Sequence, residues 1–337
     1  MAAMTMALAL LGGVIGAGFA SGREILRFFA SHGRMAGAAI ACALMMLFAL
    51  FVRLPALMQR HGADTLLSLC RIRLGRRFGA FCGWLFMLLC AVTGAAMLAA
   101  MAELGALMLP IRHAYALTMV FSLALSLLLA LFGLAGLAVP GALLAVLLVL
   151  LLARLYHLPA GEACFLPAMT PDLPIRASLD GAAYGALSCA QLAGMLAQLG
   201  RETPRVRLRA AALFTLLFGG ILSLGTAVCR RHMPALIHQP LPFVYLSRSL
   251  GFSGYMLVAL CMYAAALSTL CATLRALMPP GGGIKRAALA ALGCLFLSQM
   301  GFDAIIAHGY PLLGAMCAGL LLALCLPVCQ KASMSEM

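Results

Sequence analysis

Long apolar runs follow one another along this chain, separated by short polar interruptions. The segment at 35–57, "MAGAAIACALMMLFALFVRLPAL", carries one charge, Arg53. A run of this length matches the roughly 20 residues that cross a bilayer as a helix. The alternation expected of strands in an outer-membrane barrel is absent. The pattern predicts ten helical spans, near 5–29, 35–57, 80–108, 114–134, 137–156, 179–200, 207–229, 253–277, 285–300 and 304–329. Spans two and three are joined by an arginine-rich linker from Arg53 to Arg77, and spans seven and eight by a linker from Arg230 to Phe252. The polar stretch after the fifth span, "HLPAGEACFLPAMTPDLPIRASLD", reads as a loop.

Composition agrees. Hydrophobic residues make up 65% of the 337 and charged residues 9%, against about 25% charged in an average soluble chain. Too few polar side chains exist to cover a soluble globule, so the fold class is an all-α polytopic membrane protein. No Lys or Arg precedes Arg23, so the opening lacks the basic region of a secretory signal.

The net charge of +14 points to topology rather than to nucleic acid, because the basic residues sit in short segments between apolar runs. With both termini on one side, fourteen of the 23 Lys and Arg fall on that side and nine on the other. The bias places both termini in the cytoplasm, with the chain in a bacterial inner membrane. The thirteen cysteines are scattered through apolar segments without a CxxC or Cys/His cluster. Cys325 and Cys329, four apart, read as small buried side chains rather than metal ligands.

Five spans followed by five gives two halves of opposite orientation, about 1–156 and 178–330, joined by a loop at 157–177. The halves echo one another faintly. Pro55-Ala56-Leu57 and Leu67-Ser68 each recur 179 residues later, as Pro234-Ala235-Leu236 and Leu246-Ser247. Inverted repeats of this kind recur in secondary transporters, with substrate bound near the midplane by discontinuous helices.

The first span reads "GGVIGAGFASGREILRFF" from Gly12 to Phe29. Five glycines (Gly12, Gly13, Gly16, Gly18 and Gly22) exceed what one small-residue packing stripe needs. The stretch predicts a helix unwound around Gly16–Gly18, whose freed backbone groups need protein, water, ion or substrate as partners. Ser21, Arg23 and Glu24 follow at once. Glu24 reads either as part of a local ion pair with Arg23 or Arg27, or as a carboxylate linked to a proton or substrate.

The sixth span should mirror the first. Gly185, Ser188, Gln191 and Gly194 interrupt it, which predicts a second break near Ser188–Gln191. An interhelical hydrogen bond from Gln191 is the simpler alternative. On the eighth span Ala265, Ser268 and Thr269 share one face. Their oxygens suit a small hard cation, unless the hydroxyls only bond back to their own helix. In the tenth span Pro311 predicts a kink, with Asp303 and His308 near the same end and Glu103 interfacial.

The opening motif, the Ser268-Thr269 pair and "GFDAIIAHGYPLLGAMCAG" around Tyr310-Pro311 and Gly314 together resemble the YkvI-type family of bacterial membrane proteins. That family is similar to the amino acid–polyamine–organocation superfamily. The resemblance implies a LeuT-like 5+5 inverted repeat with spans one and six discontinuous. It implies an ion site formed by the carbonyls of Gly12 and Ile15 with Ala265, Ser268 and Thr269. It further implies a substrate site drawing on Gly16, Ala17, Gly18, Ser21, Glu24, Tyr184, Ser188 and Gln191. Two departures stand out. Arg23 occupies a position where the family motif has glutamine, and the sixth span lacks the family's asparagine, having Ser188, Cys189 and Ala190.

The expected function is cation-coupled secondary transport of a small polar solute, such as an amino acid, by alternating access. Na+ is favoured over H+ as the coupling ion, because Ser268 and Thr269 offer neutral oxygens. Glu24 or His308 would serve a proton. The alternative is a non-transporting sensor or assembly protein on a transporter scaffold. Enzymatic chemistry is not expected, since no convergent Ser/His/Asp set, carboxylate pair, metal cluster or cofactor motif is visible. A pore-lining filter is also missing. The expected partners are lipid and a small solute, not nucleic acid, and the oligomeric state stays open.

Overall fold

In lipid each backbone N–H and C=O must find its partner inside the protein, and the helix achieves this locally. The computed structural model describes residues 2–131, 141–159, 173–277 and 284–326, and all regular structure among them is helical. The first predicted span is in three pieces, α1 (Ala2–Val14), α2 (Ala17–Ala20) and α3 (Arg23–Phe28). A 3-10 segment, Ala30–Met35, leads into α4 (Ala36–His61), the second span. Then come α5 (Leu66–Met108), α6 (Ala114–Leu131) and α7 (Gly141–Tyr156). The sixth span consists of α8 (Pro174–Gln191) and α9 (Ala193–Arg201), and the seventh is α10 (Pro204–Arg231). Short helices α11 (Met233–Leu236) and α12 (Pro242–Ser247) cross the linker to α13 (Gly251–Leu277), the eighth span. The ninth is α14 (Ile284–Ser298), and the tenth joins α15 (Phe302–Ala304), a π-helical turn (Ile305–Gly309) and α16 (Tyr310–Cys325). Among the described residues, five helical stretches are long and apolar enough to cross a membrane, and further apolar helices are shorter. The chain is an all-α, multi-pass membrane protein.

Several boundaries differ from the sequence reading, each for a local reason. The arginine-rich linker is mostly helix, since α4 continues to His61 and α5 begins at Leu66. Thr65 caps α5, accepting from the Ser68 N–H at 3.1 Å while its own N–H donates to Ser68 Oγ at 3.1 Å. Gly75, at φ +82, then bends the helix in a conformation that other residues rarely adopt. Pro311 lies in the first turn of α16, and the wide π turn just before it absorbs the missing N–H and the bulk of the ring. Of the paired segments, Pro55 lies inside α4 whereas Pro234 opens α11. The ends of spans four and five at 132–140, most of the long loop at 160–172, and Cys329 lie outside the described residues.

Packing follows the small residues. Helix α1 lies against α10 and α7; α8 lies against α4 and α16; α5 lies against α6, α13 and α14; and α13 lies against α6. A Cβ added to Gly181 would fall on the Ala39 carbonyl, and one added to Gly314 would come within 2.8 Å of the Ala183 carbonyl. Backbones touch at these crossings, as small-residue membrane interfaces allow. A run of rings, Phe19–Phe218 (5.4 Å), Phe218–Phe214 (5.4 Å) and Phe214–Phe51 (5.0 Å), ties α2, α10 and α4 together.

Candidate functional site

The first span breaks at Ile15–Gly16, slightly earlier than the sequence predicts, while Ala17 and Gly18 are helical again in α2. The Gly16 N–H donates to the Val14 carbonyl at 2.8 Å rather than to the Gly12 carbonyl four residues back. The Ala17 N–H donates to the Met97 sulfur of α5 at 3.3 Å rather than to the Gly13 carbonyl. The carbonyls of Gly12 and Gly13 therefore lose their helical donors, and Ala17 rests on a weak acceptor. Opposite the break stands α13. A Cβ on Gly16 would be 3.3 Å from Thr269 Oγ1 and 3.7 Å from the Met97 sulfur. The Thr269 and Ser268 hydroxyls both donate to the Ala265 carbonyl, at 3.0 and 2.9 Å. Their protons are thus committed to their own helix, and their lone pairs are not.

A second turn follows at Ser21–Gly22. Gly22 has φ +83, and a Cβ there would meet the Phe243 ring at 2.8 Å. Two demands, conformation and space, make this glycine necessary. The Phe243 N–H donates to the Ser21 carbonyl at 2.8 Å, which anchors α12 on the turn. Ser21 Oγ donates to the Gly18 carbonyl at 2.9 Å.

Glu24 forms no local ion pair. Arg23 is salt-bridged to Asp303 of the tenth span and donates to the carbonyls of Ile237 (2.8 Å) and Gln239 (3.2 Å) in the linker. Arg27 pairs with Asp180 of α8 at 3.4 Å, and His32 Nε2 lies 3.1 Å from the same carboxylate. Both arginines beside Glu24 are therefore engaged elsewhere. Glu24 turns inward, 7% exposed, and accepts from the Tyr184 hydroxyl at 3.1 Å. Tyr184 is held in turn by the rings of Phe28 (5.2 Å) and Phe29 (5.0 Å).

Next to this pair lie Thr93 of α5, Gln191 of α8 and Tyr310 of α16. Gln191 Nε2 donates to Thr93 Oγ1 at 3.2 Å. The Tyr310 hydroxyl is buried beside Thr93 and Gln191 and also faces Glu24, and among the described residues it meets none of them in full hydrogen-bonding geometry. Five polar side chains from the first, third, sixth and tenth spans thus converge in an apolar interior. A buried polar group without a well-formed hydrogen bond is costly, so a group such as Tyr310 marks a place where chemistry is expected.

The sixth span is less broken than the sequence predicts. Helix α8 runs through Ser188, whose hydroxyl donates to the Tyr184 carbonyl at 2.9 Å, and the interruption is a kink at Leu192. The Leu192 N–H still reaches the carbonyls of Ser188 and Cys189 at 3.2 Å, so little backbone is released. His308 is exposed. Sequence reasoning missed Thr93, Met97 and the pairings of Asp180 and Asp303. The only hint was the small polar "VTG" at 92–94 within an apolar span.

No protein-family model and no curated protein matches the chain.

Proposed function

We propose that the protein is a cation-coupled secondary transporter of a small polar solute with a LeuT-like 5+5 inverted repeat. The observation that carries this reading is the break at Ile15–Gly16, where carbonyls lose their donors directly against Thr269. Discontinuous helices at midplane depth are the usual site-formers of such transporters.

The packing supports the repeat. Exchange each span for the one five places on, and the neighbours map onto one another. The contact of spans one and seven (α1 with α10) becomes that of six and two (α8 with α4). One with five (α1 with α7) becomes six with ten (α8 with α16). Three with nine (α5 with α14) becomes eight with four (α13 with α6).

In this reading Na+ is held by the Gly12 and Ile15 carbonyls with Ala265, Ser268 and Thr269. The donor chemistry fits a hard cation, since the set is neutral oxygen throughout. The solute binds between the break and the cluster of Glu24, Tyr184, Thr93, Gln191 and Tyr310. Its cationic group meets Glu24, and its anionic group meets the Ala17 N–H, which a thioether holds only weakly. The bridges Arg23–Asp303 and Arg27–Asp180 join the first span to the tenth and sixth on one side of the site, and must part for entry there. Positive-inside bias makes that side external and both termini cytoplasmic, in a bacterial inner membrane.

Uptake of labelled amino acids into proteoliposomes, under an imposed Na+ or pH gradient, tests the proposal. Gly16→Leu combined with Ser268→Ala should abolish uptake. Uptake that persists after both gradients are collapsed would refute coupling. The nearly continuous helix through Ser188 favours a second reading, a non-transporting sensor on the same scaffold. Ligand-induced stabilisation without any uptake would select it.

A further inference from the structure

A groove of about 320 Å³ lies between α7, α13 and the broken first span. It is separate from the polar cluster and shares no side chain with it. Its wall on α13 is one helical face, with Ser253, Leu257, Cys261 and Ala265 at four-residue steps. Leu147 and Leu151 of α7 form the facing wall. Leu150 and Leu257 are 59% and 54% exposed, so the groove opens towards lipid rather than towards the protein interior.

The two ends of the groove differ. Arg154 and Ser253 stand at one end, where α7 finishes and α13 begins. Ile15 lines the groove beside Ala265, at the break. From Ser253 to Ala265 the helix rises roughly 18 Å at 1.5 Å per residue. One leaflet of hydrocarbon is roughly 15 Å deep, half of the 30 Å core. Arg154 has no ion pair or hydrogen bond among the described residues. A second cation, Arg231, stacks on Tyr156 at 5.4 Å, at the same end of α7, and has no acidic partner among the described residues.

We propose that the groove is a binding site for an anionic phospholipid, with its phosphate on Arg154 and one acyl chain lying between α7 and α13 as far as Ile15. An apolar slot of leaflet depth, with a guanidinium at one end that has no partner among the described residues, is complementary to an amphiphile with an anionic head. Phosphatidylcholine and phosphatidylethanolamine carry the same phosphodiester, but their headgroup ammonium opposes the guanidinium, so a headgroup without that second cation is favoured on Arg154. The lipid's position has a consequence. The end of the chain rests on Ile15, in the non-helical break, and on Ala265, whose carbonyl holds both Ser268 and Thr269. Bound lipid therefore bears on the hinge of the first span.

The test uses the full chain in detergent, with phosphatidylglycerol and phosphatidylcholine of matched acyl chains as probes and native mass spectrometry as the readout. Wild type should retain phosphatidylglycerol over phosphatidylcholine by about fivefold, the effect of one basic residue at an anionic membrane surface. Arg154→Gln should retain both lipids equally, with its melting in phosphatidylcholine unchanged. Leu257→Trp, which fills the slot from an exposed position, should reduce retention of both. Equal retention of the two lipids by wild type, or an undiminished preference in Arg154→Gln, overturns the proposal. So does stabilisation by soluble glycerophosphate as large as that by the lipid, since the acyl chain would then contribute nothing. Because binding is read directly, loss of the lipid site and loss of transport are separate results.

Discussion

Gly18→Ala is the smallest change that probes the buried site. Gly18 sits in α2, where alanine is otherwise the better helix former by about 0.5–1 kcal/mol. Propensity alone therefore predicts a gain. The tertiary structure predicts the opposite, because a Cβ at Gly18 would overlap the Glu24 carboxyl group. Glu24 is 7% exposed and is enclosed by Tyr184 and the rings that hold it, so it cannot simply swing into solvent. Displacing it forfeits the 3.1 Å hydrogen bond from Tyr184. A hydrogen bond to a charged group is worth about 1.5–3 kcal/mol. Overpacking of a filled interior adds about 1–3 kcal/mol. The expected net effect is a destabilisation of about 2–5 kcal/mol after the propensity gain is deducted. Thermal or denaturant unfolding of the purified protein in detergent measures it. A double-mutant cycle isolates the cause. In a Glu24→Ala background the obstructing carboxyl is gone, and Gly18→Ala should become neutral or stabilising. The coupling should then be at least the cost that Gly18→Ala carries in the wild-type background, about 2–5 kcal/mol. A Gly18→Ala protein as stable as wild type, or strictly additive costs for the two substitutions, would refute the placement of Glu24 against this turn.

Outcomes for five further variants are expected. Gly181→Ala should destabilise by about 1–3 kcal/mol in the same assay, because its Cβ meets the Ala39 carbonyl of α4, a backbone atom that cannot rotate away; Gly194→Ala, with open space around it, should cost nothing. Arg23→Gln should speed hydrogen exchange across 236–243, since Arg23 holds the linker by the carbonyls of Ile237 and Gln239. Asp303→Asn, at a carboxylate 55% exposed, should change stability by at most about 1 kcal/mol; unchanged exchange in Arg23→Gln would show that the arginine is not a clasp. Burial, with the neighbouring Arg231 charge adding to it, holds the His232 imidazole below its ordinary 6.5. The folded chain therefore favours the neutral ring. His232 stabilises fully above 6.5, and its contribution is lost as pH falls from there through the lower folded value. A His232→Asn protein should show a flatter melting profile between neutral and mildly acidic pH.

The apolar runs, their lengths and the glycine-rich opening were legible in the sequence because they are properties of composition and spacing. A chain with 65% hydrophobic residues in such runs has to satisfy its backbone as helices in lipid, whatever its neighbours. Five glycines in eleven residues likewise announce an interrupted helix, and the interruption is there, at Ile15–Gly16 and again at Ser21–Gly22. Spacing does not reveal the direction in which a side chain's partner lies. Arg23, Glu24 and Arg27 stand close enough in sequence for a local ion pair, one of the two readings of Glu24, yet in three dimensions Arg23 reaches Asp303, Arg27 reaches Asp180 and Glu24 reaches Tyr184. Those partners lie more than 150 residues away, and only the packing of the first span among the sixth, tenth and linker segments selects them. The sixth span shows the same limit. Its Gly, Ser and Gln positions resemble those of a broken helix, but Ser188 and Gln191 find partners at Tyr184 and Thr93, and the helix stays nearly whole. Local sequence set where the backbone has freedom to break; tertiary contacts, by supplying or withholding partners for polar groups in a low-dielectric interior, decided where it does break and which side chains meet there.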